Sequence, residues 1–185
     1  MLKIAITGNI AAGKSQVEKF LTDNGFLVFD TDKIAHEILN SLKEFYGYDV
    51  LTDGVIDRKK LGKLVFINQD LMKKLENLIH PKVKERIIEL FNEYKNEKFI
   101  FISVPLLYEA GFESLFDKVI FVSVDEKTQI NRLMARNNLS EEEALIRINS
   151  QSSQNEKMQK ADFIINNNST IEDLMSQVKY ILEKL

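Results

Sequence analysis

The chain has 185 residues, 44% of them hydrophobic and 29% charged, with a formal net charge of -3. That length suits one main domain with a small appended lobe, and the charge gives no general attraction to nucleic acid or to an anionic membrane surface. The absence of cysteine excludes disulfides, thiolate zinc sites and cysteine nucleophiles, and two histidines, His36 and His80, are too few for a histidine-built metal cluster. No run has the layout of a signal peptide or the length of a membrane span. The expectation is therefore a soluble cytoplasmic protein with neither nucleic acid nor membrane as partner; its oligomeric state is not legible, and a monomer is assumed.

In chain order, Leu2, Ile4, Ala5 and Ile6 read as a short buried strand. Gly8 to Ser15, GNIAAGKS, follows and fits G-x-x-x-x-G-K-S, the pattern of a loop that cradles phosphates. Gly8 can turn without steric penalty, Gly13 brings bare backbone up to an anion, and Lys14 offers an ammonium to the outer phosphates. The Ser15 hydroxyl can sit on a magnesium ion. Backbone N–H groups of Asn9, Ile10, Ala11 and Ala12, with the positive end of the next helix, complete the cradle. That helix runs from about Gly13 to Asn24, with Val17, Phe20 and Leu21 on its apolar face and Gly25 as its left-handed stop. The bland alternative is an ordinary strand–turn–helix connection with Lys14 in solvent.

Phe26 to Phe29 read as a second strand covered on both faces. It ends in Asp30, Thr31 and Asp32, and a helix begins near Lys33. The two-residue period places both carboxylates on one side of an extended chain, at the strand end where open parallel sheets bind ligands. A carboxylate there can hold magnesium through water, orient an accepting hydroxyl or take its proton. The alternative for Asp32 is that it only caps the helix. Tyr46, Gly47, Tyr48, Asp49, Asp53 and Gly54 suggest a loop region. Helical patterns follow around Arg58–Phe66, Gln69–Ile79 and Lys82–Tyr94, with Pro81 in the first turn of the last and no strand between them.

Phe99 to Val104 make the clearest central strand, running into Pro105, Leu106, Leu107, Tyr108, Glu109, Ala110 and Gly111. Val119 to Val124 form the next. Two charged helices are expected at Glu126–Arg136 and Ser140–Gln154, the second opened by a Ser140–Glu143 capping box. Arg132 and Arg136, four apart, share one helix face, and Arg147 and Gln151 repeat that spacing. Such helices suit a lid whose arginines neutralise phosphate charge and exclude water; ordinary surface helices with Glu–Arg pairs are the alternative. Phe163 to Ile165 give a fifth strand, and Ile171, Leu174, Val178, Ile181 and Leu182 line one face of the closing helix. Five strands alternating with helices imply a mostly parallel sheet covered on both sides.

Taken together, ITGNIAAGKS at Ile6–Ser15, VFDTDKIAHEIL at Val28–Leu39, IHPKV at Ile79–Val83, VPLLYEAGFE at Val104–Glu113, Q-x-x-R-L-x-x-R at Gln129–Arg136, R-I-x-x-Q at Arg147–Gln151 and ADFIINNN at Ala161–Asn168 resemble the dephospho-coenzyme A kinase family along nearly the whole chain. The resemblance implies an α/β P-loop NTPase three-layer fold with a five-stranded parallel sheet. It implies a kinase core at 1–41 and 96–185 with a lid at about 126–158, and a helical coenzyme A-binding lobe at 42–95. The implied reaction is ATP-dependent, magnesium-assisted phosphorylation of the ribose 3′-hydroxyl of dephospho-coenzyme A. Gly8, Asn9, Ile10, Ala11, Ala12, Gly13, Lys14 and Ser15 would hold ATP with Arg132, Arg136 and Arg147. Asp32 would activate the hydroxyl, with Asp30 as alternative or magnesium-organising partner beside Ser15. His80, Leu107, Tyr108 and Glu109 would meet the acceptor. The loop departs from the family's usual GGIGSGKS, and small side chains fit it provided positions 9, 11 and 12 need no positive φ. A kinase for another small metabolite, or a nucleotide switch acting on a protein partner, would share the loop but not this ordered set of boxes.

Overall fold

The computed structural model describes residues 1–41, 51–52, 55–57, 60–62 and 68–185. Its centre is a five-stranded parallel sheet formed by β1 (Leu2–Thr7), β2 (Val28–Asp30), β5 (Phe99–Ser103), β6 (Lys118–Ser123) and β7 (Phe163–Asn166), in the order β2-β5-β1-β6-β7. β1 pairs with β5 on one side, Ile4 opposite Phe101, and with β6 on the other, Ala5 opposite Val119. The loop leaving β1 therefore starts from the middle of the sheet. Ile4, Ala5 and Ile6 are wholly buried, as expected of a parallel strand covered on both faces. Ile4, Ile6, Phe101, Ile120 and Val122 point into one core with Val17, Phe20 and Leu21 of α1 (Lys14–Asp23). Leu174, Val178 and Ile181 of the last helix, Ile171–Lys184, complete it. Ile171, expected on that apolar face, is exposed in the first turn.

α1 stops where the glycine signal placed it. Gly25 takes φ 82, its N–H donates to the Thr22 carbonyl, and Phe26 N–H donates to Leu21 O. This is the paired closure that a left-handed residue makes possible.

The molecule divides into two compact units, Met1–Phe29 with Lys95–Leu185, and Asp30–Tyr94. The second begins earlier than the expected boundary at residue 42. Its first helix, α2 (Thr31–Ser41), packs along α3 (Gln69–Glu93) and against β4 (Val55–Ile56). β4 pairs antiparallel with β3 (Leu51–Thr52), so this unit is not purely helical; two-residue strands are too short to leave a period-two signal. Ile56 and Leu61 pack with Leu39, Leu51, Leu71 and Leu75. Asn40 ties α2 to the hairpin by accepting from Ile56 N–H at 3.1 Å.

α3 is one helix of 25 residues, where two were expected. Pro81 lies inside it and cannot donate to the carbonyl four residues back. The helix nevertheless continues because Ile79, Val83, Ile87 and Leu90, all buried, form one apolar face running past the proline; packing outweighs the local break. Of the helix expected at Arg58–Phe66, residues 60–62 are helical. Arg58 and Phe66 themselves lie outside the described residues, as do Tyr46, Gly47, Tyr48, Asp49, Asp53 and Gly54.

In the first unit, β6 is followed by α4 (Glu126–Asn137), α5 (Glu141–Asn149) and α6 (Gln154–Met158). The Ser140–Glu143 capping box forms as the spacing predicts. The single helix expected from Ser140 to Gln154 is instead two, divided at residues 150–153. Among the described residues no helix is long and apolar enough to cross a membrane.

Candidate active site

The loop from Gly8 to Gly13 turns the chain out of β1 and into α1, and its glycines are there for two distinct reasons. Gly8 has φ 156, and a side chain there would strike the Val122 carbonyl oxygen of neighbouring β6. Gly13 has φ 93, and a Cβ would run into the Asn167 amide nitrogen. Both positions thus combine an awkward backbone conformation with close approach of another chain segment. Ala11 also lies in the left-handed region, at φ 60, whereas Asn9 and Ala12 do not. The condition under which small side chains fit the loop therefore fails at position 11: an alanine sits where glycine is the unstrained residue.

The Lys14 ammonium folds back over the loop and donates to Gly8 O at 2.9 Å. Ser15, in the first turn of α1, is exposed. The Ala12 N–H closes a tight turn onto Asn9 O at 3.1 Å.

Side chains far away in sequence hold this loop. Ile10 N–H donates to Gln151 Oε1 at 2.7 Å, and Ile10 O accepts from Gln129 Nε2 at 2.8 Å. Asn9 Nδ2 donates to Ser152 O at 3.3 Å, while Asn9 Oδ1 accepts from the buried Lys157 ammonium at 3.0 Å. Asn167 Nδ2 donates to Ala12 O at 2.8 Å and to Gln16 Oε1 at 3.2 Å. Neither Lys157 nor Gln16 stood out in the sequence. Gln129 and Asn167 did so only as letters of their boxes, and Gln151 also by its spacing from Arg147. Lys157 sits in a short polar helix that reads like a solvated surface turn, so no local pattern marks it.

The three candidate arginines share the first unit but not an environment. Arg132 is half-buried, and its Nη2 donates to Asn167 O at 3.0 Å; its Nη1 is buried without a hydrogen-bond partner. A buried guanidinium nitrogen in that condition is costly unless a ligand completes it. Arg136, on the same helix, is exposed, and its Nε donates to Asn137 Oδ1 at 3.0 Å. Arg147 is exposed in the last turn of α5.

Beyond β5, Leu107 is fully buried and accepts from Phe112 N–H at 2.9 Å. Tyr108 has a buried hydroxyl without a hydrogen-bond partner. Burial pushes its pKa up, reinforced by Glu113 and Asp162. Glu109 meets Lys157 at 2.5 Å. Burial works to raise the Glu109 pKa, but the Lys157 ammonium and backbone N–H groups outweigh it, so the carboxyl is held below its ordinary range.

Asp30, Asp32 and His80 belong to the second unit. Asp30 Oδ1 accepts from Asp32 N–H at 2.8 Å. Asp30, rather than Asp32, therefore caps α2, and Asp32 is an exposed residue of its first turn. His80 is half-buried one residue before Pro81 in α3. Among the described residues no cluster of three or more histidine, aspartate or glutamate side chains is placed to hold a metal.

A glycine-bounded amide loop at the exit of a central parallel strand, with a lysine folded over it, defines a P-loop nucleotide-binding protein. Comparison with known proteins narrows that class. The family model described as dephospho-CoA kinase matches residues 2–173. A dephospho-CoA kinase of Listeria monocytogenes is 40% identical over 191 residues, spanning 98% of this chain and 96% of the relative. Among solved structures, a Thermus thermophilus protein superposes with a TM-score of 0.83 at 33% identity, covering 100% of this chain and 97% of its own. The dephospho-CoA kinase of Campylobacter jejuni gives a TM-score of 0.75 at 34% identity, covering 98% and 96%. The chain belongs to the dephospho-CoA kinase family, and its reaction is the phosphorylation of dephospho-CoA to CoA.

Proposed function

We propose that the Gly8–Ser15 loop holds the phosphates of ATP while the 3′-hydroxyl of the dephospho-CoA ribose is presented beside Asp32. The observation that carries this reading is the loop itself. Its two glycines are confined by Val122 and Asn167, and its lysine is already folded over the Gly8 carbonyl. A triphosphate would take the Lys14 ammonium in exchange for that carbonyl, a stronger, charge-assisted partner.

Transfer is in-line, with the protein supplying position and charge rather than a covalent intermediate. Lys14 stabilises charge on the equatorial oxygens of the moving phosphoryl group. Arg132 brings a guanidinium whose Nη1 lacks a partner, and Arg136 and Arg147 are the exposed arginines available to the outer phosphates. Asp32 orients the hydroxyl and receives its proton. Asp30 is the weaker candidate for that role, because one of its oxygens already caps α2. In the first unit the unpartnered Tyr108 hydroxyl is a ready donor or acceptor toward the acceptor substrate, and His80 is a separate candidate in the second.

Each candidate oxygen donor, the Ser15 hydroxyl in the first unit and the Asp30 carboxylate in the second, is of the hard kind that magnesium takes. When bound, the ion neutralises charge on the outer phosphates.

The test is a purified-protein assay of ADP release with dephospho-CoA, nucleoside monophosphates or shikimate as acceptor, run on the wild type and on Asp32→Asn. The expected result is acceptor-dependent ADP release with dephospho-CoA alone, falling by about 10²- to 10⁴-fold in a folded Asp32→Asn protein, the range for a lost general base. Full activity of Asp32→Asn removes the base assignment.

A further inference from the structure

Lys157 is a cation with only 3% of its side chain exposed, in a helix of five residues whose one apolar member is Met158. A buried ammonium is tolerated only when paired and hydrogen-bonded. Its two partners come from different parts of the first unit: Glu109, in the turn after β5, at 2.5 Å, and Asn9, in the phosphate loop, at 3.0 Å. The Asn9 amide is held at its other end by Ser152 O, and the next residue, Ile10, is held at its N–H and at its carbonyl by Gln151 and Gln129. The first bend of the loop is thus clamped from outside while its far side, Gly13 to Ser15, belongs to α1. Gly8, which precedes the clamp, carries the carbonyl on which the Lys14 ammonium rests.

Resting on the reading of Gly8–Ser15 as the ATP phosphate site, we propose that Lys157 is a positioning residue for phosphoryl transfer. Neutralised by Glu109, its ammonium fixes the Asn9 side chain and so the curve of the loop that aims Lys14. Glu109 then acts on the donor side through Lys157, whatever else borders the acceptor. A displacement of about 1 Å in a reacting group is enough to lose on the order of 10²-fold in rate, and Asn9 is the hold on the loop nearest to Gly8.

The experiment measures kcat and both KM values for Lys157→Met, Lys157→Arg, Asn9→Ala, Glu109→Gln and the Asn9→Ala/Lys157→Met double variant, each checked for folding by thermal melting. Lys157→Met is expected to lower kcat by about 10- to 100-fold and leave KM for dephospho-CoA within about twofold, with Lys157→Arg recovering part of the loss. Glu109→Gln shows the same donor-side signature, and the double variant is no worse than the poorer single one, as residues acting as a unit require. If Lys157→Met fails to fold, Asn9→Ala and Glu109→Gln, which each leave the ammonium one partner, carry the test. The proposal is overturned by a folded Lys157→Met with wild-type kcat, by fully additive losses with Asn9→Ala, or by a Glu109→Gln defect confined to KM for dephospho-CoA. Loss of activity in Lys14→Ala alongside a normal Lys157→Met would sink this inference alone. Undiminished activity in Lys14→Ala would sink the phosphate-site reading beneath it.

Discussion

Two strand exits carry the candidate chemistry, and they are built in opposite ways. The turn after β2 is local: Asp30 caps the helix that begins one residue later, and its partner is only two positions away. The loop after β1 is held by Gln129, Gln151, Lys157 and Asn167, each more than 110 residues distant in sequence. A carboxylate needs only a rigid helix start to stand on. A cradle of backbone amides must be kept open against collapse, and that takes bracing from several elements. The β1 exit is therefore the one expected to be sensitive to changes far from it.

The largest effect expected is where that loop enters α1. Lys14→Ala should lower kcat by about 10³-fold, the scale for losing one preorganised charge partner of a transition state, with an unchanged melting curve. A steady-state assay at saturating ATP beside a thermal melt decides it. At the β2 exit, Asp30 and Asp32 should separate cleanly. Asp32→Asn strikes kcat, whereas Asp30→Ala removes a helix cap and should cost about 1 kcal/mol of stability. Urea denaturation of both variants, read with their kcat values, would break the comparison if the two defects came out exchanged.

Gly13→Ala sharpens the comparison from the braced side. Its methyl would collide with the Asn167 amide that bonds Ala12 O and Gln16, so a loss of about 1–3 kcal/mol is expected from overpacking. Partial restoration by Asn167→Ala in the same chain would assign the steric share of the loss, the remainder being the strain of alanine at φ 93. Ala11→Gly should move stability the other way. Relief of an alanine at φ 60 is worth about 1–2 kcal/mol, less the ~0.5–1 kcal/mol of added chain entropy in glycine, and a small rise in melting temperature is the readout.

The smallest effect concerns pH. Burial works to raise the Asp162 pKa, but the Lys118 ammonium and the Val119 N–H outweigh it, so the folded carboxyl titrates below its ordinary range. A group depressed in this way contributes stability above its unfolded pKa and loses it as pH falls through the folded value. Asp162→Asn should therefore flatten part of the acid limb of the stability curve, seen in melts taken across that range.

What was legible in the sequence follows the same division. Strands such as Phe99–Ser103, the Gly25 stop and the Ser140 cap depend on neighbours a few residues away, and they form as the pattern predicts. The Gly8–Ser15 loop was readable for the same reason, since its glycines and lysine lie close together in the chain. The braces were not, because a buried lysine in a short polar helix looks like any surface lysine until the fold brings Glu109 and Asn9 to it. The β3–β4 hairpin and the unbroken α3 escaped for a third reason: two-residue strands carry no period, and packing carried a helix through Pro81. Ala11 is instructive in another way. The residue type argued for negative φ there, and the backbone demanded otherwise.

The most direct measurement follows product rather than nucleotide: CoA formed per ADP released by the purified protein with magnesium, ATP and dephospho-CoA, in the wild type and in Lys14→Ala. The account predicts one CoA bearing a new 3′-phosphate for each ADP in the wild type, and next to none of either in the variant. ADP released without CoA, or CoA made equally well without Lys14, would contradict it.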